Sequence, residues 1–178
     1  MQAPRQNTRD GVIVGLIAFV SVALFYGGFD FLASRGTLYT VNLLGGALFG
    51  GMRDPAVLQL PVPVHVAGIL EYSALHLAAS LLIGVTVVGF VGYAERTPRH
   101  ARLVTMLIAA GFVVTIALVG WLSIPLRSML PWWSIVLANT LAVIVSAAYL
   151  SHARPGVAGR LLHPTDHASA DQTPHIAT

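Results

Sequence analysis

Residues 64–90 read VHVAGILEYSALHLAASLLIGVTVVGF, and the fold turns on what this stretch is. A bilayer hydrocarbon core of roughly 30 Å takes about 20 helical residues to cross, and the stretch is long and apolar enough to do so. It also carries Glu71, Tyr72, Ser73 and His76. The whole chain settles the class. Of its 178 residues, 56% are hydrophobic and only 10% are charged, with mean hydropathy +0.76, whereas soluble domains carry about 25% charged residues. This is the composition of an integral membrane protein. No water is available inside a bilayer to satisfy backbone groups, so helices are expected.

Working outward from that stretch, four runs are long enough to span: about 11–33, 64–92, 103–124 and 132–150. The expected fold class is therefore all-α, a four-helix transmembrane bundle. Its membrane domain covers residues 1–152, and residues 153–178 form a flexible cytoplasmic tail. The N-terminal MQAPRQNTRD followed by a long apolar run reads as an uncleaved anchor, because a signal peptide has a shorter apolar core and a small-residue cleavage site. The tail is rich in Pro, His and small polar residues and has little to bury, so disorder is expected from about Arg154 onward. His163, Asp166 and His167 lie in it, but a mobile segment offers no supporting shell for a metal.

All ten basic residues are Arg, and there is no Cys. Disulfides, thiolate metal sites and cysteine nucleophiles are thereby excluded. With 17 Gly and 10 Pro, the composition points to a GC-rich bacterial genome. The pI of 9.8 does not signal nucleic-acid binding, since the arginines sit at the ends of apolar runs. Arg5, Arg9, Arg96, Arg99, Arg102, Arg154 and Arg160 fall on one side of the membrane, and Arg35, Arg53 and Arg127 on the other. The positive-inside bias makes the richer side cytoplasmic. Both termini are then inside, in a bacterial inner membrane, with Trp132 and Trp133 in an outer aromatic belt.

Residues 38–52, LYTVNLLGGALFGGM, are apolar but short, and Arg53, Asp54 and Pro55 end them. As a fifth span they would put the C-terminus outside and scramble the Arg asymmetry. They are expected to form an outer interfacial or re-entrant segment, with glycine pairs that permit close backbone approach. Residues 57–64, VLQLPVPV, are expected to be extended.

A depth ruler of 1.5 Å per residue places the polar side chains. Glu71 reaches the outer headgroup level and stays hydrated. His76 lies one turn deeper and points about 140° away from Glu71 on a helix. It shares its face with Tyr72, Ser80 and His65. On the first span Asp30 arrives at the outer boundary with Tyr26 one turn below. On the fourth, Asn139 lies about 10 Å down. Asp30, Tyr26, Tyr72, His76 and Asn139 thus form a candidate polar cluster in the outer half, and the inner half is comparatively apolar. Tyr72, His76 and Asn139 are expected to approach one another across the second and fourth spans. Such residues usually face the bundle interior. They can act as interhelical glue, with Asp30 pairing Arg35 or Arg53 in the headgroup zone. That packing role is the leading reading, ahead of a ligand, lipid-headgroup or proton site and of a cofactor site shared with another subunit.

A bis-His haem needs two His at matched depth on different helices. His76 has no such partner, because His65 is on its own helix and His152 is at the opposite end. There is no phosphate-binding glycine loop with Lys, no HExxH and no nucleophile elbow. No catalytic, metal or cofactor-binding residues are assigned, and a non-enzymatic role is expected.

Three stretches, FDFLASRGTLYTVNLLGGALF (29–49), LEYSALHL (70–77) and WWSIVLANTLAVIVSAAYLSHARPG (132–156), together resemble a group of small bacterial four-span membrane proteins without assigned function. The matching positions are Asp30, Thr40, Leu44, Gly45, Tyr72, His76, Trp133, Asn139 and Tyr149. Many relatives have Pro after the Thr where this chain has Val41, which implies a looser turn. The resemblance implies four spans and carries no activity. The expected role is a structural or accessory subunit of a membrane assembly, with the lipid bilayer and other membrane subunits as partners. The alternative is a small transporter or sensor built on the outer-half polar site.

Overall fold

The computed structural model describes residues 4–51 and 63–155, and those residues are all-α, with no strand among them. Five α-helices run α1 Pro4–Leu32, α2 Tyr39–Phe49, α3 Val66–Arg96, α4 Ala101–Leu122 and α5 Trp132–Ala153, with single 3-10 turns at Pro98–His100 and Ile124–Leu126. The four long helices are apolar enough to cross a membrane. They coincide with the four expected spans, but α1 begins well before Gly11 and α3 continues to Arg96. An apolar run marks the hydrocarbon layer, whereas a helix continues as long as its backbone can bond. At about 44 and 46 Å, at 1.5 Å per residue, α1 and α3 overhang a 30 Å core, whereas α4 and α5 match it at about 33 Å each.

The four long helices form a ring in which each packs on the next: α1 on α3, α3 on α4, α4 on α5, and α5 back on α1. The pairs α1/α4 and α3/α5 stand on the diagonals. Short connections make α3 and α4, and α4 and α5, antiparallel neighbours, whereas α1 and α3 are joined through α2.

The α1/α3 seam is the tightest. Gly11 and Gly15 of α1 make a GxxxG pair whose backbone lies directly on α3. A Cβ on Gly11 would come within 2.7 Å of Val85 Cα, and one on Gly15 within 2.6 Å of Leu81 Cα. Gly84 returns the favour, its missing Cβ making room for the backbones of Gly11 and Gly15. Further along, Asn7 fills the space left by Gly92, and the Phe19 ring meets His76 at 5.1 Å. Ascending positions on α1 thus pair with descending positions on α3 along an antiparallel seam. Small residues drive such contacts in lipid, where no hydrophobic gain distinguishes helix from solvent and close packing has to supply the attraction.

Helix α2 settles the ambiguous segment. Its eleven residues span about 16 Å, half of what a crossing needs. It does not lie on the surface: Thr40, Asn42, Leu43, Gly45, Gly46 and Ala47 are buried. Asn42 bonds to Pro63 and His65, and Gly45 abuts Gly68. The two contacts advance together, so α2 runs alongside the first turns of α3 in the same direction. Leu43 and Ala47 join Leu126, Leu130 and Ile135 in a small apolar cluster bordered by Tyr26 and Val119. The segment is a short helix packed into the bundle rather than a loop on its surface. The segment expected to be extended lies mostly outside the described residues, as does Arg53. Residues 63–65, its described end and the residue after it, are non-helical.

The tail expectation fails at its first residues. Arg154 is 2% exposed, the largest fully buried side chain of the bundle. Helix α5 ends there because Pro155 follows, and a residue before proline is disfavoured in the helical region. Arg154 accordingly takes φ −134° and ψ 71°, and its side chain lies under the bundle. The remainder of the expected tail, with His163, Asp166 and His167, lies outside the described residues.

Candidate functional site: polar layers at the two ends of the bundle

At the end where α1 finishes, Asp30 is 1% exposed. Residues 33–38 reverse the chain through Gly36 at φ +86°, and this brings the start of α2 back over the end of α1. Thr40 N–H donates to Asp30 Oδ2 at 2.7 Å, and Thr40 Oγ1 donates to Asp30 Oδ1 at 2.7 Å. Leu38, the residue before α2, offers no capping side chain. Asp30 supplies the cap from another helix, and its negative charge complements the positive end of the α2 dipole. Asp30 was expected to pair with Arg35 or Arg53. Arg35 instead donates to Met129 O at 3.0 Å and lies over the Tyr39 ring at 5.4 Å.

The same end holds a second tie. Asn42 Nδ2 donates to Pro63 O at 3.0 Å, and Asn42 Oδ1 accepts from His65 N–H at 2.8 Å. His65 Nδ1 then accepts from Gly68 N–H at 3.0 Å, capping α3. A single buried amide thus fixes the entry of α3 against α2. A third tie crosses to α5. Ser134 donates its hydroxyl proton to Pro131 O at 2.7 Å, which leaves Ser134 Oγ to accept from Tyr26 O–H at 3.4 Å.

The five residues of the candidate cluster face different neighbours: Asp30 turns to α2, Tyr26 to α5 and His76 to α1. Tyr26 Oη lies 3.4 Å from Ser134 Oγ of α5. Tyr72 and His76 have ring centroids 6.0 Å apart, and His76 packs on Phe19 of α1. Asn139 does not join them across the second and fourth spans. Its Nδ2 donates to Ile135 O on its own helix at 2.8 Å. The reason is the ring order: α3 and α5 are diagonal, and α1 fills the space between them. Matched depth put the residues in one layer, but depth says nothing about which helices are neighbours. Glu71 is exposed, as expected.

The opposite end was expected to be comparatively apolar and is not. Arg154 Nε and Nη2 both donate to Asp10 Oδ2, at 2.9 and 2.7 Å. Nη2 also donates to Asn7 Oδ1 at 2.9 Å, and Nη1 to Glu95 Oε2 at 3.3 Å. One guanidinium therefore joins α1, the end of α5 and, across the ring's diagonal, the end of α3. Asp10 is itself buried. The Cβ-free surface of Gly92 lets Asn7 lie flat enough to take part. The sequence held the signal. Asp10 opens the first span, Glu95 closes the second and Arg154 closes the fourth, so all three charges share one depth. The same depth ruler, applied to this end, finds them.

No cluster of three or more His, Cys, Asp or Glu residues suited to a metal ion occurs among the described residues. Two apolar grooves open on the flanks, one between α4 and α5 and one between α1 and α5, and neither is lined by Tyr72, His76 or Asn139. No family model, curated protein or solved structure matches the chain.

Proposed function

We propose that the protein is a non-enzymatic structural or accessory subunit of a membrane assembly in a bacterial inner membrane, with both termini cytoplasmic. The observation that carries this reading is α4. Of its 22 residues only Ala101 and Val104 are buried. Its exposed surface includes a run of small residues, Ala109, Ala110 and Gly111, and a Cβ on Gly111 would meet nothing within 4 Å. A helix that contributes so little to its own bundle, yet offers small residues for close approach, suits contact with another membrane helix. The interior supports the same reading: the buried polar groups of both ends bond to one another and hold helices together.

The test is native purification from the host membrane, followed by crosslinking from single photoreactive residues along α4. Crosslinks to one defined membrane protein from the Ala110 face are the expected outcome. Crosslinks to lipid alone from every α4 position would end the accessory-subunit reading. Topology is tested separately. A single cysteine at Ser128 is expected to react with an impermeant thiol reagent in intact cells, and one at Thr97 is not. The reverse pattern would invert the orientation.

A further inference from the structure

The α4/α5 groove carries an inference independent of the subunit reading. Helices α4 and α5 part where they approach the 3-10 turn Ile124–Leu126, leaving a groove of about 370 Å³. Its walls are apolar, with Ala117 and Gly120 on α4 and Val136 on α5, and its mouth is bordered by Trp121, Arg127 and Trp132. A Cβ on Gly120 would meet nothing within 4 Å, so the space is open rather than filled by a neighbour. Trp121 and Trp132 are 65% and 66% exposed. They stand at the last turn of α4 and the first of α5, the level at which Trp collects at membrane–water interfaces.

Arg127 makes this more than a lipid-facing crease. It is exposed, and among the described residues its side chain has no ion pair or hydrogen bond, unlike Arg35 and Arg154. No Asp or Glu occurs in the sequence between Glu95 and Asp166. At this end α4, α5 and the loop joining them therefore present one guanidinium, that of Arg127, and no carboxylate. A lone cation at interface depth, above an apolar groove and between two Trp rings, matches a molecule with an anionic head and a hydrocarbon tail.

We propose that this groove is a binding site for an anionic phospholipid. Arg127 takes the phosphodiester, for which its planar donor fork is suited, and one acyl chain lies along Ala117, Gly120 and Val136. Trp121 and Trp132 flank the glycerol region. A second membrane helix is a poorer occupant, since it would have to bring a carboxylate to the headgroup level opposite Arg127.

The experiment is native mass spectrometry of the full chain released from nanodiscs made of phosphatidylglycerol and phosphatidylethanolamine in equal parts. The wild type is expected to retain phosphatidylglycerol preferentially. Arg127→Gln, an exposed change that breaks no contact, is expected to lower that preference about fivefold, the effect of one basic residue near a lipid surface. Gly120→Phe fills the groove without altering charge and is expected to reduce retention of both lipids. A photoreactive residue at Ile124 in native membranes is expected to give lipid adducts. Unchanged phosphatidylglycerol retention in both variants would overturn the proposal. So would protein adducts from Ile124, or displacement of the lipid by millimolar inorganic phosphate.

Discussion

The two ends of the bundle solve one problem with opposite chemistry. At the Arg154 end a single guanidinium gathers Asp10, Asn7 and Glu95, and three helices depend on one side chain. At the Asp30 end the ties are divided among Asp30–Thr40, Asn42–His65 and Tyr26–Ser134, each joining a different pair of segments. The difference follows from what each end contains. The Arg154 end has helix termini and a short turn, with little backbone free to bond, so a long, multidentate side chain bridges the gap. The Asp30 end has the short helix α2 and the non-helical residues around it, whose free N–H and C=O groups are met by short side chains close at hand. Concentrated and distributed ties should fail differently, and that difference can be tested.

The largest loss is expected from Arg154→Ala. It leaves Asp10 buried beside an empty space, and removing one partner of a buried ion pair costs about 3–5 kcal/mol. Thermal unfolding of the purified protein would show it as a drop of many degrees. A loss below about 1 kcal/mol, the range of an exposed pair, would mean the cluster is hydrated and unimportant. Truncation sharpens the point. Ending the chain after Pro155 is expected to leave stability unchanged, whereas ending it after Ala153 is expected to reproduce the Arg154→Ala loss.

Between the two ends, Gly84→Leu is expected to cost about 3 kcal/mol, the upper range for overpacking. The new side chain has no route except into the backbones of Gly11 and Gly15. A disulfide-scanning measurement across the α1/α3 seam should show the helices forced apart, and an unchanged crosslinking pattern would contradict the seam.

At the distributed end, Asp30→Ala removes both partners of Thr40 and is expected to cost about 1–3 kcal/mol, the range for leaving buried donors unpaired. Asn42 and Tyr26 still hold their segments, so the loss should appear as local protease or hydrogen-exchange sensitivity around α2, with the ring intact. Global unfolding on Asp30→Ala would make this end as concentrated as the other.

The smallest effect is expected from His76→Phe. His76 packs against Phe19 and Tyr72 as a ring, and a phenyl ring can do the same, so a change within about 1 kcal/mol is expected for this near-isosteric swap. Insertion with normal stability but loss of a measurable cellular phenotype would instead revive the transporter or sensor reading.

The sequence makes some of this architecture legible and hides the rest for identifiable reasons. Apolar run length reveals the four long helices, and the shortness of residues 38–52 rules out a fifth crossing, because the bilayer imposes a fixed length on any span. The depth ruler assigns Tyr26, Asp30, Tyr72 and His76 one level, because helical rise is constant, but it does not say that Asp30 turns to α2, Tyr26 to α5 and His76 to α1. It misplaces Asn139 because depth carries no azimuth. In the observed ring the second and fourth spans are diagonal, and the 33 residues that separate α1 from α3 leave that order undetermined by loop lengths. Arg154 is hidden by its surroundings in sequence. It stands where composition shifts toward small polar residues, and it counts equally well as a positive-inside charge. Only the coincidence of Asp10, Glu95 and Arg154 at one depth betrays it. The GxxxG pair Gly11–Gly15 is visible in the sequence, but its partner Gly84 becomes evident only once the seam is known.

The central claim is that one buried cluster closes the Arg154 end, and a double-mutant cycle tests it most directly. Arg154→Gln, Asp10→Asn and the double variant would be compared by equilibrium unfolding in the same lipid or detergent. Each single change is expected to be strongly destabilising. The double change is expected to lose at least about 2 kcal/mol less than the sum, as directly coupled partners do. Additive losses, within about 0.5 kcal/mol, would show that Arg154 and Asp10 act independently and that the end is not closed by their pairing.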